Sequence, residues 1–126
     1  MRTRALALGA TLLLLAACSG SDAGERRPSA ACADLSTGGS SFTVRLRGDA
    51  FVPSCFTASA SQELELTNED AVRHSFTVEG TPIDVDVDGG DTLDLAAPGG
   101  AVQPGTYQLI CKYHLPGMTG EITIVA

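Results

Sequence analysis

The chain has 126 residues, enough for one ordinary domain and too few for two. Its 8 Lys and Arg against 15 Asp and Glu give a formal charge of −7. A balance this acidic excludes nucleic acid, whose phosphates it would repel, and suits a basic partner or simple solubility after export.

The chain opens on a leader rather than on a fold. Met1-Arg2-Thr3-Arg4 is a short basic stretch, Ala5 to Leu15 is apolar, and Ala16-Ala17 are small residues ahead of Cys18. "LAAC", Leu15 to Cys18, resembles a bacterial lipobox, in which the Cys becomes the lipidated first residue. The apolar run is short for a bilayer span, and a lipid on Cys18 would hold the protein on a membrane surface without crossing it. Residues 1–17 are therefore expected to be a lipoprotein signal peptide. Residues 18–38, small, polar and Pro-containing, read as a flexible tether with a reach of roughly 25 Å. Residues 39–126 are the expected folded body. Loss of Arg2 and Arg4 with the leader leaves 6 basic residues against 15 acidic ones, a charge of −9.

Along the body, period-two alternation recurs and no sustained helical period appears. Phe42, Val44 and Leu46 share one face of "FTVRLR". "CFTASA" is a further short run. Leu64 and Leu66 alternate with acids, and Phe76 and Val78 with polar neighbours. Ile83, Val85 and Val87 alternate with Asp84, Asp86 and Asp88. Leu93 and Leu95, then Tyr107, Leu109 and Cys111, then Ile122 and Ile124 continue the habit. Turn signals such as Gly48-Asp49, Gly89-Gly90, Pro104-Gly105 and Pro116-Gly117 separate these runs. The pattern predicts an all-β fold, an antiparallel Greek-key sandwich of about eight strands, each with one buried and one wet face. It does not give strand order.

Four cysteines would make two disulfides in an exported chain. Assigning Cys18 to the lipid leaves three. Cys32 and Cys55 form the natural pair, worth about 2–4 kcal/mol as a staple to so small a body. Cys55–Cys111 and Cys32–Cys111 remain the alternatives. The odd residue, Cys111, stands in "CKYHLPGM", beside His114 and Met118.

A Cys and a His three residues apart cannot both face inward on one strand. The strand must end near Cys111 and a loop must swing His114 and Met118 back toward the sulfur. Thiolate and thioether are soft donors, and imidazole suits copper, zinc or iron. Structural zinc favours four Cys and His donors, whereas one thiolate, two imidazoles and a weak thioether are the set for a blue-copper centre. The chain's other His is His74, in "NEDAVRHSF". That stretch resembles the Asn-x-Asp-x-x-x-His loop of plastocyanin- and azurin-like cupredoxins. "PGTYQLICKYHLPGMTGEITI", residues 104–124, is similar to their Pro-Gly-x-Tyr strand, Cys-x-x-His loop and closing Met-x-Gly strand.

The resemblance implies His74, Cys111 and His114 as equatorial ligands of one copper ion cycling between Cu(I) and Cu(II), with Met118 as the axial ligand. It implies a monomeric electron carrier rather than an enzyme, and the lipobox-like stretch would tether that carrier to a membrane through Cys18. The carrier would face the periplasm or cell exterior and exchange electrons with a cytochrome or oxidase past Leu115, Pro116 and Gly117. Copper delivery without electron transfer is the alternative. Two features depart from the family pattern: three residues separate His114 from Met118, and Ser75 stands where plastocyanin and azurin carry a loop-bracing Asn. A thiol enzyme using Cys111 and a His base lacks an evident orienting third group. A calcium loop at "DVDVDG" would need Glu where Leu95 stands, so these acids read as a solvated sheet face.

Overall fold

The computed structural model describes residues 31–126. The expected leader, the expected lipidation at Cys18 and the expected tether up to residue 30 lie outside the described residues. Ten strands follow in chain order: β1 (Ala33–Asp34), β2 (Ser41–Leu46), β3 (Phe51–Val52), β4 (Cys55–Ser59), β5 (Glu63–Asn68), β6 (His74–Val78), β7 (Asp84–Val87), β8 (Thr92–Leu95), β9 (Gly105–Ile110) and β10 (Thr119–Val125). A 3-10 turn spans Pro98–Gly100. The strands form a six-stranded sheet in the order β1-β4-β10-β9-β6-β7 and a four-stranded sheet in the order β3-β2-β5-β8. The two sheets close as a sandwich.

The alternation in the sequence becomes the inner faces. β2 buries Phe42, Val44 and Leu46 and exposes Ser41, Thr43 and Arg45, while β5 buries Leu64 and Leu66 from the same sheet. Opposite them lie Phe56, Phe76, Leu109, Ile122 and Ile124 of the larger sheet, all nearly free of solvent. Phe51 meets Phe76 edge to face, with ring centres 5.9 Å apart, a geometry that adds to the burial of both rings. Each of these large side chains stabilises the fold by about 1.5–3 kcal/mol through area removed from water.

Three features depart from the expected outline. The strand count is ten rather than about eight, because β1 and β3 have two residues each and are too short to show a period. The sheets are mixed rather than antiparallel: β1 with β4, β4 with β10, and β2 with β5 run parallel. Side-chain alternation is the same in either direction, so only connectivity separates them. The ordered body also begins before residue 39. Cys32 and Cys55 are joined in a disulfide with Cα atoms 4.7 Å apart, β1 pairs with Phe56 and Thr57, and the Leu35 N–H donates to Thr57 O at 2.8 Å. The buried Gln62 amide closes this corner by donating to Leu35 O at 2.8 Å and Gly39 O at 3.0 Å.

Sheet order positions the functional residues. β6 and β9 are antiparallel neighbours, with Thr77 opposite Ile110 and Val78 opposite Leu109. This register carries the end of β9, and Cys111 just beyond it, to the start of β6, where His74 lies.

Candidate metal centre

His74 is the first residue of β6 and is fully buried, as is Cys111. The β9–β10 loop turns immediately after Cys111. Its backbone folds on itself: the His114 N–H donates to Cys111 O at 3.3 Å and the Met118 N–H to His114 O at 3.0 Å. The Cys111 N–H donates to Met118 O at 3.0 Å. These bonds bring His114 back over the sulfur and set Met118, almost fully buried, across from Cys111. The expected swing of the loop is what the chain does.

The donor atoms converge. His74 Nδ1 lies 3.1 Å from His114 Nδ1, and Cys111 Sγ lies 3.4 Å from His114 Nδ1 and 3.8 Å from His74 Nδ1. Bonds of about 2.0 Å to nitrogen and 2.3 Å to sulfur, as at zinc, would reach all three atoms from one centre. Two facing imidazole nitrogens and a sulfur in a solvent-poor pocket fit a cation, and thiolate with imidazole and a nearby thioether fits copper in particular. His114 is the outward-facing donor, its side chain 28% exposed. Its chain neighbours Tyr113 and Leu115 are, with Val72 of the β5–β6 loop, the large apolar residues that remain about half exposed among the described residues.

A second layer holds these donors. The Ser75 N–H donates to Cys111 Sγ at 3.3 Å, and Ser75 Oγ accepts the Lys112 N–H at 2.8 Å. Ser75 thus bonds both sides of the sulfur-bearing residue and ties the two ligand segments together. The buried Asn68 organises the β5–β6 loop: its amide donates to Val72 O at 2.8 Å and Val87 O at 3.0 Å, and its Oδ1 accepts the Asp70 N–H at 3.0 Å. That loop rests on the β7–β8 turn, where a Cβ on Gly89 would come within 2.4 Å of the Ala71 backbone. The acids of β7 are paired rather than simply solvated. Lys112 Nζ bridges Asp84 (2.7 Å) and Asp86 (3.4 Å), and the Tyr113 hydroxyl donates to Asp86 at 2.7 Å. The Lys112 contact holds the Asp84 carboxyl below the usual carboxylate range, and the Tyr113 hydroxyl does the same for Asp86.

Sequence reasoning gave no role to Asp70. Its Oδ2 lies 2.8 Å from His74 Nε2, and it also accepts the N–H groups of Gly48 (2.9 Å) and Asp49 (3.2 Å). Gly48 and Asp49 have φ of 61° and 53° and form the tight β2–β3 hairpin, a positive-φ pair of the type I′ kind. The Gly48 bond, followed by the His74 contact, holds the Asp70 carboxyl below its ordinary range. The signal in the sequence was the Asp of the Asn-x-Asp-x-x-x-His stretch, a carboxylate four residues ahead of His74.

A family model described as a cupredoxin-like domain matches residues 6–124. No curated protein matches the chain. Among solved structures, a copper-containing nitrite reductase from Thermus scotoductus SA-01 superimposes with a TM-score of 0.53 at 24% identity, over 67% of this chain and 22% of that one. This chain thus spans about a fifth of the reductase. A reduced amicyanin variant gives a TM-score of 0.54 at 14% identity, over 68% of this chain and 82% of that one. A purple cupredoxin from Nitrosopumilus maritimus gives 0.52 at 14% identity, over 66% and 98%. At such identities these likenesses concern the sandwich alone, while the family match spans nearly the whole sequence: the chain belongs to the cupredoxin-like domain family.

Proposed function

We propose that the protein is a single-electron carrier built on one mononuclear copper ion. His74, Cys111 and His114 would hold it, with Met118 as a weaker fourth donor. The observation that carries this reading is the convergence of His74 Nδ1, His114 Nδ1 and Cys111 Sγ within 3.1–3.8 Å of one another. Bound copper supplies a one-electron couple between Cu(I) and Cu(II). The chain's residues do the rest. The Ser75 N–H donates to the sulfur and stabilises its thiolate. The sandwich holds two ligands at adjacent strand ends, so the donors keep their places through a change of charge. Burial of Cys111 and His74 keeps water from the sulfur, and the partly exposed His114 edge offers the route to a partner. The exposed Tyr113 and Leu115 on either side of His114 suit brief docking with a redox protein such as a cytochrome or oxidase.

The same reading places the protein at a membrane, on the outer side, held by a lipid on Cys18. Support comes from the "LAAC" sequence. No helix among the described residues is long and apolar enough to cross a bilayer. The test is the visible and EPR spectrum of the protein loaded with Cu(II). An intense thiolate-to-copper band is expected, lost in Cys111→Ser. Absence of that band, or its survival in the serine variant, ends the proposal.

A further inference from the structure

His74 and His114 are unequal in what stands behind them. His114 Nε2 has the Asp49 carboxylate at 3.7 Å, beyond hydrogen-bonding distance. His74 Nε2 has Asp70 Oδ2 at 2.8 Å, within an environment that leaves the ring no exposure. The Asp70 carboxylate is itself immobilised. The Gly48 and Asp49 N–H groups of the β2–β3 hairpin donate to its two oxygens, and its own N–H is bonded to Asn68. A carboxylate only accepts hydrogen bonds. The His74 proton must therefore sit on Nε2, leaving the Nδ1 lone pair aimed at the space it shares with Cys111 Sγ and His114 Nδ1.

From this geometry we infer that Asp70 is a positioning residue for the metal. It fixes the tautomer and ring orientation of His74 and places a negative charge one imidazole away from the ion. Resting on the copper reading, the inference has two consequences. The ligand is held ready for metal without rearrangement, and the added negative charge favours the more highly charged Cu(II), lowering the reduction potential. The hairpin carrying Asp49 is part of the device, because its backbone keeps the carboxylate from turning to solvent. Asp49 contributes charge near the site without a bond to either ring, which makes it the control.

The experiment compares the full chain with Asp70→Asn and Asp49→Asn. Copper affinity is measured by competition, the potential by voltammetry, and the protonated ring nitrogen of His74 by long-range 15N NMR of the copper-free wild type. Asp70→Asn is expected to keep the visible band, since all ligands remain, and to weaken Cu(II) binding by about tenfold or more. With Cu(I) binding less affected, the Cu(II)-to-Cu(I) affinity ratio falls about tenfold, raising the potential by about 59 mV for one electron. Asp49→Asn is expected to shift that ratio by less than about twofold. The NMR measurement should place the proton on Nε2. A proton on Nδ1 would overturn the inference, as would an Asp70→Asn ratio within twofold of wild type, or equal shifts in the two variants. If wild type gives no copper band, the copper reading fails instead, and the NMR result still decides whether Asp70 sets the tautomer.

Discussion

Replacing Cys32 and Cys55 together with serine removes a cross-link whose cost is set by the length of chain it closes. The two residues are 23 apart in sequence. In the loop-entropy treatment, a closed loop of that length restricts the unfolded chain by about 3.4 kcal/mol at room temperature. The native contacts around the bridge survive its removal only in part, because β1 is held by pairing with Phe56 and Thr57 and by the Leu35–Thr57 hydrogen bond. Fraying of that strand adds to the loss rather than offsetting it. With an m value of about 1–1.5 kcal/mol per molar urea, the unfolding midpoint should fall by about 2.3–3.4 M or slightly more at unchanged m. Urea titration followed by far-UV circular dichroism measures this directly. A fall of less than about 0.5 M at the same m would refute the reasoning, since the unfolded chain would then be as confined without the bridge as with it.

Gly89→Ala places a methyl against the Ala71 backbone, 2.4 Å from its carbonyl; overpacking of this kind costs about 1–3 kcal/mol. Because Ala71 lies in the loop leading to His74, the variant should also bind Cu(II) more weakly, and equilibrium unfolding with copper competition checks both effects. Asp84 and Asp86 are held below the usual carboxylate range by Lys112 and Tyr113. The folded state therefore takes up protons less readily than the unfolded chain, whose Asp groups titrate near about 3.9. The stability these contacts give is complete above about pH 4 and is lost as pH falls below it. In low salt, Asp84→Asn/Asp86→Asn should flatten the decline of stability below about pH 4 relative to wild type; an unaltered slope contradicts the assignment.

Alternation made most of the core legible. Phe42, Val44, Leu46, Leu64, Leu66, Phe76 and Val78 all face inward as their spacing implies. It broke down where a strand is covered on both sides: His74, Ser75 and Phe76 are buried in succession, because the ligand loop lies over the outer face at that end. Strand direction was illegible for a different reason, since parallel and antiparallel neighbours present the same side-chain pattern. The convergence of His74, Cys111 and His114 could be anticipated from "CKYHLPGM" and His74, because soft donors at close spacing have few other uses. The layer behind them could not. Asp70 is held against His74 by a turn formed some twenty residues earlier in the chain, and Ser75 serves through one backbone and one hydroxyl contact to the facing segment. Neither relation leaves a periodic trace.

The adjacency of β6 and β9 has a thermodynamic consequence. Two of the donors are fixed by the ladder that builds the sandwich, and the third by a loop that closes on its own carbonyls. The copper-free chain is therefore expected to keep its native shape, unlike small zinc domains whose folding is driven by the ion. Metal entry then requires little reordering, so its binding energy is retained as added resistance to unfolding, increasing with the logarithm of free metal concentration. A chelator should strip such a protein to a folded, reloadable form rather than denature it.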